Sequence, residues 1–412
     1  MPLPPDGRAW SELAREMRDF KKDDLDWRRG RHGLYVWHAD DQVEEVVREA
    51  HALFMTENGL GLRAFPSLRR METEVIENVA ELVGTADGVA GHMTTGGTES
   101  IFCAVHAARE WARQRRPDVA APEVVAPFSA HPALDKAAHY LGLRVVRVPT
   151  RPDFRADADA LGAAVTPGTI MCYASAPTYS LGVIDPIAEV GALAAARGLW
   201  LHVDACVGGV LAPFVRRLGF PVPEFGFRVP GVTSVSVDVH KSGYGAKGAS
   251  VVLFRTAEAQ AAGRYDFDRW PTGLYSTHTF VGTRPGGAIA AAWAVLQHLG
   301  EAGYLRIAET VMRTRASLVD ALGGVDAGLH VLGAPDLWAV GIGARGYDIH
   351  AVADRLLARG WWPGRIREPR GIHLMITPVH AGVLEEFLAD LGQAVREVKG
   401  SGAASTTSAA YS

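Results

Sequence analysis

The chain has 412 residues, 48% hydrophobic and 21% charged, and carries a formal net charge of −4. That length exceeds one ordinary domain, the composition is that of a soluble globular protein, and the absence of a basic tract gives no reason to expect a nucleic-acid partner. The three cysteines are widely spaced in apolar sequence and read as reduced thiols of a cytoplasmic protein, while no apolar run of about 18 residues or more suggests a membrane segment.

In chain order, residues 1–30 open on prolines and continue through SELAREMRDFKKDDLDWRRG as a charged helix. GLYVW at 33–37 reads as a short strand, and Asp41 to Leu53 as a helix on the spacing Val43, Val46, Val47, Ala50, Leu53. ENGLGLRAFPSLRRMETEV then leads into a helix that Pro66 or Ser67 starts. From Gly91 to Arg255 helical and strand-like runs alternate, which implies an α/β domain with a mostly parallel sheet between helices. Ligands of such sheets sit at the carboxyl ends of strands. Residues 1–60 are thus expected to form an arm, 61–310 a large domain and 311–398 a small α+β domain, with a disordered polar tail at 399–412.

Three stretches of the large domain carry chemistry. In GHMTTGGTES, Gly96 and Gly97 allow a close backbone approach just before an amphipathic helix, with Thr98 and Ser100 as its expected caps. A helix N-terminus offers free N–H groups to a phosphate. In LWLHVDACVGG a short apolar strand ends in Asp204, which on its own is equally a turn or helix cap. In VTSVSVDVHKSGYGAKGAS, Val235, Val237 and Val239 alternate with polar residues, and the strand stops at His240 and Lys241 before a glycine-rich turn. Only six lysines occur in the chain, and Lys241 and Lys247 lie close together. Lysine can form an imine with a carbonyl, whereas a guanidinium stays protonated. Alone, Lys241 is also read as a surface lysine. Together the three stretches suit pyridoxal 5'-phosphate (PLP): the lysine for its aldehyde, the aspartate for its pyridine nitrogen, and the helix start for its phosphate.

GHMTTGGTESI, HPALDKAAHY, HVDACVGG, DVHKSGYGAKG and TRPGG, in this order and spacing, resemble the sphingosine-1-phosphate lyase branch of the group II PLP-dependent decarboxylases, from about Gly30 to about Leu391. The resemblance implies a fold-type-I PLP enzyme of the aspartate-aminotransferase kind, working as a homodimer with shared sites. It implies that Gly96, Gly97, Thr98, His131, Asp204, His240 and Lys241 hold the cofactor, with Gly282 and Thr283 donated across the interface. His131 stacks on the ring, and His240, Lys241, Lys247 and Tyr179 are candidates for moving protons. Tyr35, Asn58, Tyr179 and Lys247 are the implied substrate contacts. The eukaryotic lyases carry an N-terminal membrane anchor; none is expected for this chain, nor a membrane-embedded lipid route.

One departure concerns the head group. The lyases place a phosphate-holding histidine three residues after the asparagine, and here that position is Gly61. A smaller, more polar amino compound is therefore expected to be preferred over a long-chain phosphosphingoid base. Arg365, Arg367 and Arg370 either supply a replacement cation or form a solvated turn. His106, His139 and His202 read as structural, and no metal site is expected. The expected reaction is retro-aldol cleavage of a β-hydroxy amine. Alternatives are amino-acid decarboxylation, then aminotransfer, then PLP binding without catalysis.

Overall fold

The computed structural model describes residues 2–84 and 88–409. Its central sheet has seven strands: β1 (Ala90–Thr94), β2 (Glu123–Pro127), β3 (Arg144–Val148), β4 (Thr169–Ser175), β5 (Trp200–Asp204), β6 (Ser234–Val237) and β7 (Ser250–Phe254). Their spatial order is β1-β7-β6-β5-β4-β2-β3. The run from β6 to β3 is parallel, and β7 alone is antiparallel to both of its neighbours. β4 and β5 are buried along their whole length, so they read as near-continuous apolar runs.

Helices α1 (Trp10–Phe20), α2 (Asp41–Leu53) and α3 (Pro66–Leu82) precede the sheet. Pro66 occupies the first turn of α3, where its missing N–H leaves no bond unmade. Within the sheet region come α4 (Gly97–Arg115), α5 (Ala133–Leu141), α6 (Ala158–Ala164), α7 (Ile187–Arg197), α8 (Ala212–Arg217) and α9 (Ala257–Ala262). An exposed hairpin, β8 (Tyr265–Phe267) with β9 (Tyr275–Thr277), follows. The long α10 (Gly286–Val325) breaks at Gly300 and runs past residue 311, so the two expected domains are joined by helix rather than by a linker. The C-terminal region is an antiparallel sheet of β10 (Leu329–Val331), β11 (Ala339–Ala344), β12 (Gly364–Ile366) and β13 (Gly371–Met375), with α11 (Ile349–Leu357) and α12 (Leu384–Ser401).

Two local expectations differ from the structure. GLYVW is not a strand: the Gly33 N–H donates to the Trp362 carbonyl at 2.8 Å, and the chain then turns through Tyr35 at φ 69°. The tail is not free up to Thr407. α12 continues to Ser401, the Ser405 N–H donates to Asp348 Oδ2 at 2.8 Å, and Thr407 N–H donates to Ser405 Oγ at 3.1 Å. Residues 410–412 of the expected disordered tail lie outside the described residues.

The sheet domain and the C-terminal region meet at Gly182. Its carbonyl accepts from the N–H groups of Asp336 and Leu337, at 2.9 and 3.2 Å. It has φ 66°, and a Cβ there would lie 2.1 Å from the Ala339 carbonyl oxygen. Backbone on backbone cannot yield as a flexible side chain can. Gly182→Ala should therefore cost about 2 kcal/mol or more and lower the thermal unfolding midpoint by a few degrees, read by calorimetry.

Candidate active site

Because β1, β2, β4, β5 and β6 all run in the same direction, their carboxyl ends open onto one edge of the sheet. The chain leaves β1 into Gly96–Gly97–Thr98, β2 toward His131, β4 toward Tyr179, β5 at Asp204 and β6 toward Asp238, His240 and Lys241. Together these line a cleft of about 440 Å³, which Lys247 also borders. A neighbouring cavity of about 340 Å³ shares the His131 and Tyr179 wall and adds Tyr35, Arg367 and His373.

Asp204 is only 8% exposed and is well held. The Tyr173 hydroxyl donates to its Oδ2 at 2.7 Å, the Cys206 N–H to Oδ1 at 3.1 Å, and Ser236 Oγ to Oδ1 at 3.4 Å. The β5–β6 register sets Ser236 directly beside it. Ser236 and Ser234 in turn meet the two ring nitrogens of buried His202, at 3.2 and 2.8 Å. Burial opposes ionisation of Asp204, but the nearby His131, followed by the Tyr173 hydroxyl and Lys241, outweighs it and holds the carboxyl below its ordinary range.

Lys241 Nζ lies 2.8 Å from Asp238 Oδ2. Burial disfavours its charge, but the Asp238 carboxylate overrides that and keeps the amine above its ordinary value. Lys247 Nζ donates to the His240 carbonyl at 3.1 Å. The surrounding protein, then the charge of Lys241, lowers the Lys247 amine to about 8, while the residue as a whole stays exposed at the cleft mouth. His131 and His240 are both pushed down by burial, and each is pulled back up by a carboxylate, Asp204 and Asp238 respectively. The His131 and Tyr179 rings meet edge to face at 6.0 Å.

The helix α4 starts at Gly97 with no side-chain cap. Ser100, expected as a cap, instead bonds Thr94 Oγ1 at 2.6 Å and Ser250 Oγ at 2.8 Å. Thr98 makes no capping bond either, so the first N–H groups are left to the cleft. Glu99 carries its carboxylate to the Thr95 N–H at 2.7 Å and to the Phe280 N–H at 3.0 Å.

Of the expected site residues, Gly96, Gly97, Thr98, His131, Tyr179, Asp204, His240, Lys241 and Lys247 share the cleft, and Tyr35 borders the adjoining cavity. Asn58, Gly282 and Thr283 do not line it. They lie together elsewhere: the Gly59 N–H donates to the Arg284 carbonyl at 2.8 Å, and Asn58 bridges to Pro285. Asn58 Oδ1 accepts from the N–H groups of Leu60 and Gly61, both at 3.2 Å. Two of the three arginines are committed, Arg365 to Asp354 at 2.5 Å and Arg370 to Asp348 at 2.8 Å; Arg367 faces the second cavity. His38, Asp41 and Glu44 bring ligand-type atoms within 4.8 Å of one another, but Arg28 already bonds both carboxylates, at 3.0 and 2.7 Å. Sequence reasoning missed Tyr173 and Asp238 as site residues. Asp238 carried a signal, an acid three positions before the lysine on an otherwise neutral strand; Tyr173, inside an apolar run, carried none.

These residues fit PLP. A Cβ at Gly97 would lie 2.7 Å from Cys206 Sγ and 2.8 Å from Asp238 Oδ2, so only glycine lets the backbone settle into this cradle. An uncapped helix start, a buried ionised carboxylate and a lysine converge on one cleft, matching a phosphate, a pyridine nitrogen and an aldehyde. The pyridoxal-dependent decarboxylase conserved domain matches residues 37–323. The chain belongs to the pyridoxal-dependent decarboxylase family. It is 39% identical over 395 residues to a sphingosine-1-phosphate lyase of Arabidopsis thaliana, covering 94% of this chain and 72% of that one. It is 34% identical over 343 residues to a probable L-tyrosine/L-aspartate decarboxylase of Methanothermobacter thermautotrophicus, covering 83% and 91%. The solved structure of a sphingosine-1-phosphate lyase from Burkholderia pseudomallei superposes with a TM-score of 0.93 at 36% identity, covering 97% of this chain and 94% of that one. The decarboxylase-family protein described here is thus a fold-type-I, PLP-dependent lyase.

Borohydride reduction of the PLP-loaded enzyme should fix the cofactor to Lys241, as peptide mass spectrometry would show. Lys241→Ala should abolish the visible absorption band of bound cofactor. Label on Lys247 would reverse the assignment.

Proposed function

We propose that this PLP-dependent lyase cleaves a phosphorylated β-hydroxy amine between Cα and Cβ, releasing an aldehyde and a phosphorylated amine. The observation that carries the reading is likeness to sphingosine-1-phosphate lyases along nearly the whole chain, 36% identical with a TM-score of 0.93 for the solved structure. When bound, PLP supplies an electron sink for the pair left at Cα. The chain's own residues do the rest. Asp204, kept ionised by His131, Tyr173 and its other neighbours, would hold the pyridine nitrogen protonated. His131 and Tyr179 form the wall against which substrate is oriented. Burial pushes His131 and His240 down as well, but Lys247, lowered to about 8, is the wall amine that is partly neutral near neutral pH. Its Nζ takes the β-hydroxyl proton as the Cα–Cβ bond breaks and returns a proton to Cα, so no net proton is gained or lost.

A second reading, loss of CO₂ from an amino acid, is favoured by the 34% identity to the archaeal decarboxylase. A mass-detected screen of phosphorylated amino alcohols and free amino acids separates the two. Aldehyde with phosphorylated amine is the expected product; CO₂ from an amino acid, with no aldehyde from any amino alcohol, overturns the proposal.

The head-group grip is proposed to be weaker than in the lyases, because Gly61 cannot bond a phosphate through a side chain. Losing one charge-assisted bond to a bound anion costs roughly ten- to a hundredfold in affinity. A Cβ at Gly61 would meet nothing closer than the Phe65 ring at 3.6 Å, so a histidine enters without strain at its base. In one-tube competition, a short phosphorylated amino alcohol should have a higher kcat/KM than sphingosine-1-phosphate, and Gly61→His should raise activity on both. A ratio favouring sphingosine-1-phosphate rules out the idea.

The enzyme is also proposed to work as a homodimer with shared sites. Asn58, Gly282 and Thr283 stand outside their own chain's cleft, amid exposed apolar side chains: Leu53 at 75%, Met55 at 73% and Phe280 at 69%. Such a patch is expected to be covered by another chain, here a second copy that receives these residues at its cleft. Among the described residues no helix is long and apolar enough to cross a membrane, and three buried unpaired cysteines favour a reducing, cytoplasmic setting. Mixing Lys241→Ala chains with Thr283→Arg chains should regenerate activity through hybrid dimers carrying one intact site. A fully active monomer would exclude sharing.

A further inference from the structure

Six buried side chains lie on one face of the sheet: Tyr173 on β4, Trp200, His202 and Asp204 on β5, and Ser234 and Ser236 on β6. The strand registers pair Tyr173 with His202, His202 with Ser234, and Asp204 with Ser236. A chain of hydrogen bonds runs through them, and its first member fixes its direction. The Trp200 indole N–H can only donate, and it donates to Ser234 Oγ at 2.8 Å. The single hydroxyl proton of Ser234 then goes to His202 Nδ1, also at 2.8 Å. Burial lowers His202 to about 4, so the ring is neutral and carries its proton on Nε2. Nε2 donates to Ser236 Oγ at 3.2 Å, which leaves the Ser236 proton for Asp204 Oδ1 at 3.4 Å.

That direction decides how the two oxygens of Asp204 are occupied. Oδ1 also accepts the Cys206 N–H at 3.1 Å, so both of its lone pairs are in use. Oδ2 accepts the Tyr173 hydroxyl at 2.7 Å and, among the described residues, no second donor, so one lone pair remains. A pyridine nitrogen held by Asp204 therefore shares Oδ2 with Tyr173. An oxygen that already accepts a short, charge-assisted bond is the weaker base. We propose that Tyr173 is a positioning residue that sets where the proton between Asp204 and the cofactor's pyridine nitrogen rests. With the hydroxyl in place the proton stays on nitrogen; without it the N–H bond breaks, an O–H bond forms at Oδ2, and the total charge is unchanged. The inference rests on the assignment of Asp204 to the pyridine nitrogen.

The other charged or titratable groups that face Asp204 do not replace Tyr173. His131, after β2, outweighs it when charged, but burial pushes His131 down and leaves it mostly neutral near neutral pH. Lys241, after β6, is committed to the cofactor in the loaded enzyme. Cys206, after β5, is pushed well up by burial and carries no charge. Burial, then Asp204, pushes the Tyr173 phenol well up, with Arg147 of β3 acting the other way, so the hydroxyl remains a donor.

The test follows PLP carrying an NMR-active nitrogen isotope in its ring, bound to wild type and to Tyr173→Phe, which loses the hydroxyl and keeps the ring. The nitrogen should be protonated in wild type. In the variant the ratio of protonated to unprotonated nitrogen should fall about ten- to a hundredfold, the range for one hydrogen bond to a charged group. Ser236→Ala, which removes the longer bond to Oδ1, should lower the ratio less. A packing role alone would leave the ratio where it is, so an unchanged ratio in Tyr173→Phe overturns the proposal, as does a larger fall from Ser236→Ala. Tyr173→Met, also without a hydroxyl, serves as a second variant should the first fold poorly. The same measurement on Asp204→Asn checks the assignment beneath. A nitrogen as protonated there as in wild type overturns the role of Asp204 itself; loss of the proton there with none lost in Tyr173→Phe overturns the role of Tyr173 alone.

Discussion

Two carboxylates, Asp204 and Asp238, end adjacent parallel strands where neither can be fully hydrated. Burying one ionised carboxylate is costly, and burying two near each other is more so. The surrounding side chains follow from that constraint. Asp204 is answered by Tyr173, Cys206, Ser236 and His131, and Asp238 by Lys241 and His240. The carboxylate pair thus fixes a ring of donors and cations around the cleft. The stretch of β5 and β6 that holds the pair is packed on both sides, so the groups have little freedom to relax when cofactor or substrate arrives.

The legible part of this arrangement was the part written as breaks in pattern. Lys241 and Asp204 interrupt apolar or alternating strands, and the paired glycines before α4 interrupt a helix signal, so each stands out against its neighbours. Tyr173 does not, because β4 is buried on both faces and its residues look alike whether they pack or donate. Ser234 and Ser236 read as the polar half of an alternating strand. Both faces are in fact buried, and the serine hydroxyls bond His202 and Trp200 instead of water. The expected caps at Thr98 and Ser100 failed for a related reason. A helix start that is to receive an anion must keep its N–H groups free, so Ser100 turns its hydroxyl back toward β1 and β7. The direction of β7 left no trace, since an antiparallel and a parallel buried strand have the same composition.

The residues divide in space according to what they rest on. Of those implied for the cofactor, all but Gly282 and Thr283 stand at or just beyond strand ends, where the sheet holds them to one edge. Asn58, Gly282 and Thr283 stand on loops joined to each other rather than to that edge. In the shared-site reading the division is functional: the sheet supplies the electronic environment of the cofactor, and the loops of a second chain supply part of the grip.

A buried ion pair holds the loops that bear Asn58 and Thr283. Arg284 forks onto Glu72 of α3, with one bond at 3.0 Å, and also donates to the carbonyls of Gly59 at 3.2 Å and Met93 at 3.3 Å. The Met93 N–H donates to the same carboxylate at 3.2 Å. One guanidinium therefore binds the loop bearing Asn58 and Gly61, the loop bearing Thr283, and the strand that leads into the phosphate cradle. Bidentate geometry fixes orientation as well as distance, so the loops are held nearly as firmly as strand ends. The side chain at position 61 projects beyond this frame and takes no part in it, with only the Phe65 ring and Asn58 within 4 Å of a Cβ there. A change at that position therefore leaves the Arg284 contacts that hold the loops as they are.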